Sequence, residues 1–177
     1  MFNFPALAVT FRSALAAMLL VIAAPVATFA QTAGNVQLQG DGLMRTRSAY
    51  SVEETAKRIQ ADIEAKGIMF LATIDQSGLG KSAGIDLKPS RLLIFGNPPL
   101  GLLFLTANPE SGMDWPVRML VHEDSAGKVW AVYQDWKWVA QRYAIANRDA
   151  EFAKATEVVA SIVSSVADCA KLADCTE

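Results

Sequence analysis

The chain has 177 residues, a formal net charge of −2, one histidine and two cysteines. No Lys/Arg cluster breaks that mildly acidic balance, which excludes nucleic acid as a natural partner because phosphate binding wants a basic face. A chain this long buries roughly two-thirds of its unfolded surface in one domain, so it needs neither a disulfide scaffold nor a structural metal to fold.

Residues 1–30 have the layout of a secretory signal. Arg12 supplies the positive end, residues 14–24 form an apolar core, Pro25 breaks it, and Thr28-Phe29-Ala30 offers a small-residue cleavage site. Cleavage is expected after Ala30, with Ala27 as the alternative. An apolar core of about a dozen residues is short of the ~20 a spanning helix needs. The pattern therefore favours export to the periplasm or beyond, with no membrane attachment after cleavage. Cys169 and Cys175 then sit six positions apart in an oxidising compartment, where a disulfide is the natural expectation. Closing so short a loop stabilises by about 2 kcal/mol. The helix before it must end between the two cysteines for them to pair. A redox role is disfavoured, since the spacing is not Cys-x-x-Cys.

Residues 31–42 are polar and aperiodic and read as a flexible leader. Residues 43–168 read as one domain, with 169–177 as a tail. Residues 43–50 can form a first strand. Ser51-Val52-Glu53-Glu54 is a capping box, in which the Ser51 hydroxyl serves the Glu54 amide and the Glu54 carboxylate reaches back. Val52, Ala56, Ile59 and Ile63 follow at helical spacing, and Gly67 ends that helix. Residues 68–74 are a near-continuous apolar run, and residues 75–80 (DQSGLG) read as a turn. A second run at 92–95 closes at Gly96-Asn97-Pro98-Pro99, after which 100–107 predicts a short helix. Residues 117–122 and 128–133 form a hairpin around the loop 123–127. Trp136, Val139, Ala140 and Tyr143 then mark one helix, and Phe152, Val159, Ile162, Val163 and Val166 another.

This order predicts an α+β two-layer sandwich, an open antiparallel sheet with its long helices on one face. On residues 68–74 both faces are apolar: Ile68, Phe70, Ala72 and Ile74 on one, Met69, Leu71 and Thr73 on the other. A sheet covered on one side alternates more cleanly. A cover for the second face is therefore expected, from the short helix at 100–107, a second subunit or an apolar ligand.

Three blocks, residues 68–75 (IMFLATID), 92–100 (LLIFGNPPL) and 114–135 (DWPVRMLVHEDSAGKVWAVYQD), resemble in spacing and order the bacterial domain of unknown function 302. The resemblance implies a fold similar to that of the TATA-binding protein, and no activity. Arg118 matches an arginine in the family's Leu-Pro-Leu-Arg-like segment. Typical members carry Trp where His122 stands, and two further departures stand out: the familiar Arg-His pair reads Arg142-Tyr143, and the run after the Asn-Pro turn changes. After the Asn-Pro turn, Gly101-Leu102-Leu103-Phe104-Leu105-Thr106 replaces a Gly-Thr-Pro-Leu-Met-Gln-like run.

Candidate functional side chains are few. Arg118 shares a strand face with Leu120 and His122, and either grips a small anion with its bidentate fork or pairs with Asp114, Glu123 or Asp135. His122, Glu123 and Asp124 form a tempting cluster, yet adjacent strand residues point to opposite faces and no further His or Cys is near, so no metal site is expected. Asn97 can cap the short helix and present its amides to an anion. Asp75, Asn97, Arg118 and Tyr133 all fall at or near strand ends. No nucleophile elbow or Cys/His pair is present, and a carboxylate pair of Asp75 and Asp86 is the weaker alternative to turn roles for both. The expectation is a cofactor-free, non-catalytic periplasmic module that binds a small anionic or apolar ligand or forms a homodimer. The alternative is an enzyme acting on a small anionic substrate, with Arg118 as binder and Asp75 or Tyr133 as acid/base.

Overall fold

The computed structural model describes residues 40–167. The signal segment, most of the leader, and Cys169 and Cys175 lie outside them. The described chain runs β1 (Leu43–Ser48), α1 (Val52–Ala65), β2 (Met69–Asp75), α2 (Gln76–Ser82), β3 (Ser90–Gly96), α3 (Pro98–Ala107), a 3₁₀ turn (Pro109–Met113), β4 (Val117–Glu123), β5 (Val129–Gln134), α4 (Trp136–Arg142) and α5 (Asp149–Ser164). The strands form one antiparallel sheet in the order β1-β5-β4-β3-β2. This is the predicted α+β sandwich.

Helix α1 starts where the cap chemistry places it. The Ser51 hydroxyl accepts the Glu54 amide at 3.3 Å, and Gly67 takes a positive φ of 67° just past the end. The box closes on one side only, because the Glu54 carboxylate turns instead to Arg58 Nε at 2.7 Å. Val52, Ala56, Ile59 and Ile63 are buried, and α5 lies beside α1 with Phe152, Val159, Ile162 and Val163 buried. Between these helices and the sheet sit Leu93, Phe95, Met119, Val121 and Ala131, every second residue of the central strands.

The structure corrects the sequence at three places. Residues 75–80, expected as a turn, open α2: Asp75 accepts the Gly78 amide at 2.8 Å and the Ser77 hydroxyl at 2.9 Å, enough to nucleate a helix of 7 residues despite its glycines. Gly42, assigned to the leader, is buried, and its carbonyl accepts the Asp135 amide at 3.0 Å. The short helix begins earlier, with Pro98 in its first turn, and lies on the helix side, where Phe104 stacks on Phe152 with centroids 4.3 Å apart. Phe104 also stacks on Trp136 at 5.6 Å. The aromatic stack draws α3 into the helix layer, so α3 does not cover the second sheet face.

Candidate functional site

The face that α3 does not cover is a candidate functional surface among the described residues. The register aligns Ile74 with Leu92, Leu92 with Leu120, Leu120 with Val132 and Val132 with Arg45, one row across all five strands. Ala72, Ile94 and Arg118 align beside it, and Ser90, His122, Trp130 and Arg47 on its other side. Ile74, Leu92, Ile94 and Leu120 are half-buried yet lie outside the core. Period-2 alternation explains the arrangement, since their strand neighbours Leu93, Phe95, Met119 and Val121 face the helices. The apolar row is flanked by cations: Arg45, Arg47 and Arg118. Arg47 lies over the Trp130 ring at 5.7 Å.

At one end of this face the chain gathers around Asp114, which is 4% exposed. Oδ1 accepts Arg118 Nη2 at 3.0 Å and Gln134 Nε2 at 2.6 Å. Oδ2 accepts Arg142 Nη1 at 3.2 Å and the Tyr143 hydroxyl at 2.8 Å. A buried carboxylate demands this many donors, because it loses its hydration and cannot stay charged without them. Arg118 also donates to the Met113 carbonyl at 2.9 Å, and Arg142 stacks on Trp138 at 5.2 Å. Burial first, then the bond to Asp114, pushes the Tyr143 hydroxyl above the ordinary tyrosine range. Both arginines remain nearly half exposed, so the cluster is a fixed pair of guanidinium groups around one carboxylate. Of the ion-pair partners expected for Arg118, Asp114 is the one it meets.

The other candidates do not join it. His122 shares the open face with Arg118 but lies toward the other end of β4, across from Ser90 and Trp130. Tyr133 faces the helix side beside the core. Asp75 is on that same side at the end of β2, paired with Arg91, which also holds Glu53 of α1 at 3.0 Å. The Gly78 amide, then the Ser77 hydroxyl, holds its carboxyl below the usual range. Asn97 occupies the N-cap of α3 without a side-chain cap bond. Glu123 pairs with Lys88 at 2.9 Å, and Asp124 accepts Trp130 Nε1 at 2.8 Å. Among the described residues no three His, Cys, Asp or Glu side chains converge as a metal would require. Sequence reasoning missed Asp114, Gln134 and Arg142 as one cluster, since Tyr143 lies 29 residues from Asp114 and no local pattern links them.

Comparison with known proteins places this architecture. The family model described as "Domain of unknown function DUF302" matches residues 44–166. The chain belongs to this family. A solved DUF302 structure, an uncharacterised conserved protein from Bacillus stearothermophilus, superposes with a TM-score of 0.65 at 15% identity, covering 72% of this chain and 99% of that one. At that identity the DUF302 match speaks for the fold alone. Among curated proteins, "Fluoride-specific ion channel FluC 1" of Brucella suis biovar 1 (strain 1330) is 38% identical over 104 residues, 59% of this chain and 41% of that protein. The protein of the same name from Brucella abortus biovar 1 (strain 9-941) matches at 38% identity over 38% of its length. The chain thus spans about two fifths of the curated relatives it matches.

Proposed function

We propose that this DUF302 domain is a non-catalytic periplasmic module that pairs with a second copy of itself through the open face of its sheet. The observation that carries the reading is the apolar, in-register row Ile74, Leu92 and Leu120, half-buried and outside the core, continued by the buried Val132. Two antiparallel sheets stack at about 10 Å with their inner side chains interdigitated. A two-fold axis parallel to the strands through Leu120 sets apolar on apolar and sends each β1 side, with Arg45 and Arg47, toward the partner's β2 side, while Arg118 on the axial strand keeps its charge paired with Asp114 at 3.0 Å. The enzyme alternative needs Arg118 to converge with Asp75 or Tyr133, and those side chains lie on opposite faces of the sheet. Native mass spectrometry of the mature protein tests the proposal. A dimer at micromolar concentration is expected, and a clean monomer with no bound molecule overturns it.

The name of the Brucella relatives, a fluoride-specific ion channel, favours a second reading, compatible with the first: the domain serves a membrane channel. None of the described helices is long and apolar enough to cross a membrane. A pore in those relatives would then fall to the part outside the match. Deleting the matched segment from the Brucella suis protein and measuring fluoride efflux from proteoliposomes tests this. Altered assembly or efflux supports it, and unchanged efflux removes it.

A further inference from the structure

His122 is the one histidine of the chain. It stands half-buried on the open face of β4, aligned with Ser90 of β3 on one side and Trp130 of β5 on the other. The other polar groups of this row are engaged. The Ser90 hydroxyl donates to Gln76 Oε1 of α2 at 2.8 Å, Trp130 Nε1 donates to Asp124 Oδ2 at 2.8 Å, and Arg47 Nη1 of β1 donates to the Val129 carbonyl at 3.2 Å. Among the described residues the His122 imidazole has no hydrogen-bond or ion-pair partner. The nearby carboxylates are also taken. Asp124 accepts the Ala126 and Lys128 amides besides Trp130. Glu123 turns to the other side of the strand, where Lys88 holds it at 2.9 Å. The cation on the row, Arg47, lies beyond His122 over the Trp130 ring.

The next step rests on the dimer reading. β4 is the central strand of the sheet, and a two-fold axis along it through Leu120 brings each residue on its open side against its own copy. Those residues are Arg118, Leu120 and His122. Leu120 is apolar, and Arg118 has its charge paired with Asp114. His122, about 7 Å along the strand from Leu120, is the one whose charge changes near neutrality. A neutral imidazole carries one donor and one acceptor, so two of them can serve each other across the axis. Two imidazoliums carry donors only, and they repel in a space from which water has been removed.

We infer that His122 makes self-association of this domain depend on pH: two copies join through the open face while their imidazoles are neutral and separate when both are protonated. The sign follows from the location. The free protomer leaves the half-buried ring in water and binds a proton more readily than the dimer does. Association is therefore fully present above the histidine range and is lost as pH falls through it.

Sedimentation of the mature protein at pH ~7.5 and pH ~5.5, about one unit to either side of the ordinary histidine value, tests the inference. The dimer Kd is expected to rise about a hundredfold on acidification, roughly tenfold for each imidazole the dimer keeps neutral. His122→Gln, uncharged at both values and able to donate and accept, holds the dimer at both. His122→Lys, charged at both, associates as weakly at pH ~7.5 as the parent does in acid, with the parent's circular dichroism. A parent dimer equally tight at the two values overturns the inference, as does acid dissociation that persists in His122→Gln. Either result leaves the dimer reading standing. A parent that is monomeric at both values removes the dimer reading, and this inference with it.

Discussion

The hydroxyl of Tyr143 donates to Asp114 Oδ2 at 2.8 Å and fastens the end of α4 to the segment that enters β4. Arg118, Gln134 and Arg142 complete the donor set on the same carboxylate. Asp114→Ala strips the charge from between two guanidinium groups and leaves Gln134 and Tyr143 unpaired. A loss of about 1–3 kcal/mol is expected, the cost of leaving these donors without their acceptor, since the two half-exposed guanidinium groups regain water. Asp114→Asn keeps the shape and one acceptor oxygen and should cost less. Urea unfolding of the two variants checks the order, and an alanine variant as stable as the parent would make the cluster an incidental contact.

The same bond sets a response to alkali. Folding raises the Tyr143 hydroxyl above its ordinary value, with burial the first cause. The native state therefore holds this proton more tightly than the unfolded chain does. The stability it contributes is fully present below the unfolded tyrosine value, near pH 10, and is lost as pH rises through the higher native value. Tyr143→Phe should flatten that alkaline decline while lowering stability near neutrality by about 1 kcal/mol, one hydrogen bond to a charged group less the gain from removing a hydroxyl. An alkaline profile identical in the two proteins would assign the decline to other groups. Tyr143 stands where the family resemblance expects histidine, which would offer the same carboxylate an N–H donor. Tyr143→His should thus fold and move the pH response toward neutrality.

Much of the fold was legible because the signals were local. Ser51 followed by Glu54, the stripe of Val52, Ala56, Ile59 and Ile63, and Gly67 at the end determine α1 within a few residues. The hairpin around residues 123–127 is local for the same reason. α2 was hidden because Gly78 and Gly80 read as turn residues, whereas the Asp75 carboxylate supplies a cap that composition does not reveal. The side of the sheet on which α3 rests depends on Phe104 meeting Phe152, 48 positions away, and no periodicity reports that. The two-sided apolar strands did announce an unsatisfied face, since Leu92 and Ile94 alternate with Leu93 and Phe95. The Asp114 cluster was legible only as the pair with Arg118, four positions on. Its other members arrive from β5 and α4 through tertiary packing.

Gly101 shows how tightly α3 is seated. A Cβ there would overlap the Trp115 indole, and Gly96 on β3 faces the same ring, with a Cβ meeting it at 3.2 Å. Gly101→Ala should raise helix propensity by about 1 kcal/mol yet destabilise the protein, because the indole must leave its place or α3 must lift from the sheet. A net loss of about 1–3 kcal/mol is expected, typical of overpacking. A red-shifted tryptophan emission should accompany it as Trp115 meets water. A stabilised variant with unchanged emission would show that Trp115 has an alternative seat.

The dimer reading makes Leu120 and Leu93 opposites, although both lie mid-strand in the same sheet. Leu93 is wholly buried against the helices, while Leu120 lies on the open face with Leu92 and Val132 to either side. Leu93→Glu should prevent folding, as an unpaired charge in the core costs several kcal/mol. Leu120→Glu should leave the protomer folded, with circular dichroism like the parent's. It should weaken self-association by at least about 2 kcal/mol, roughly thirtyfold in Kd, because a two-fold axis sets two such charges into one desolvated centre. Sedimentation of the parent and the variant reads that shift. An unchanged oligomer would move the interface to another surface, and a Leu120→Glu protein that fails to fold would mean that the open face is covered from within the same chain.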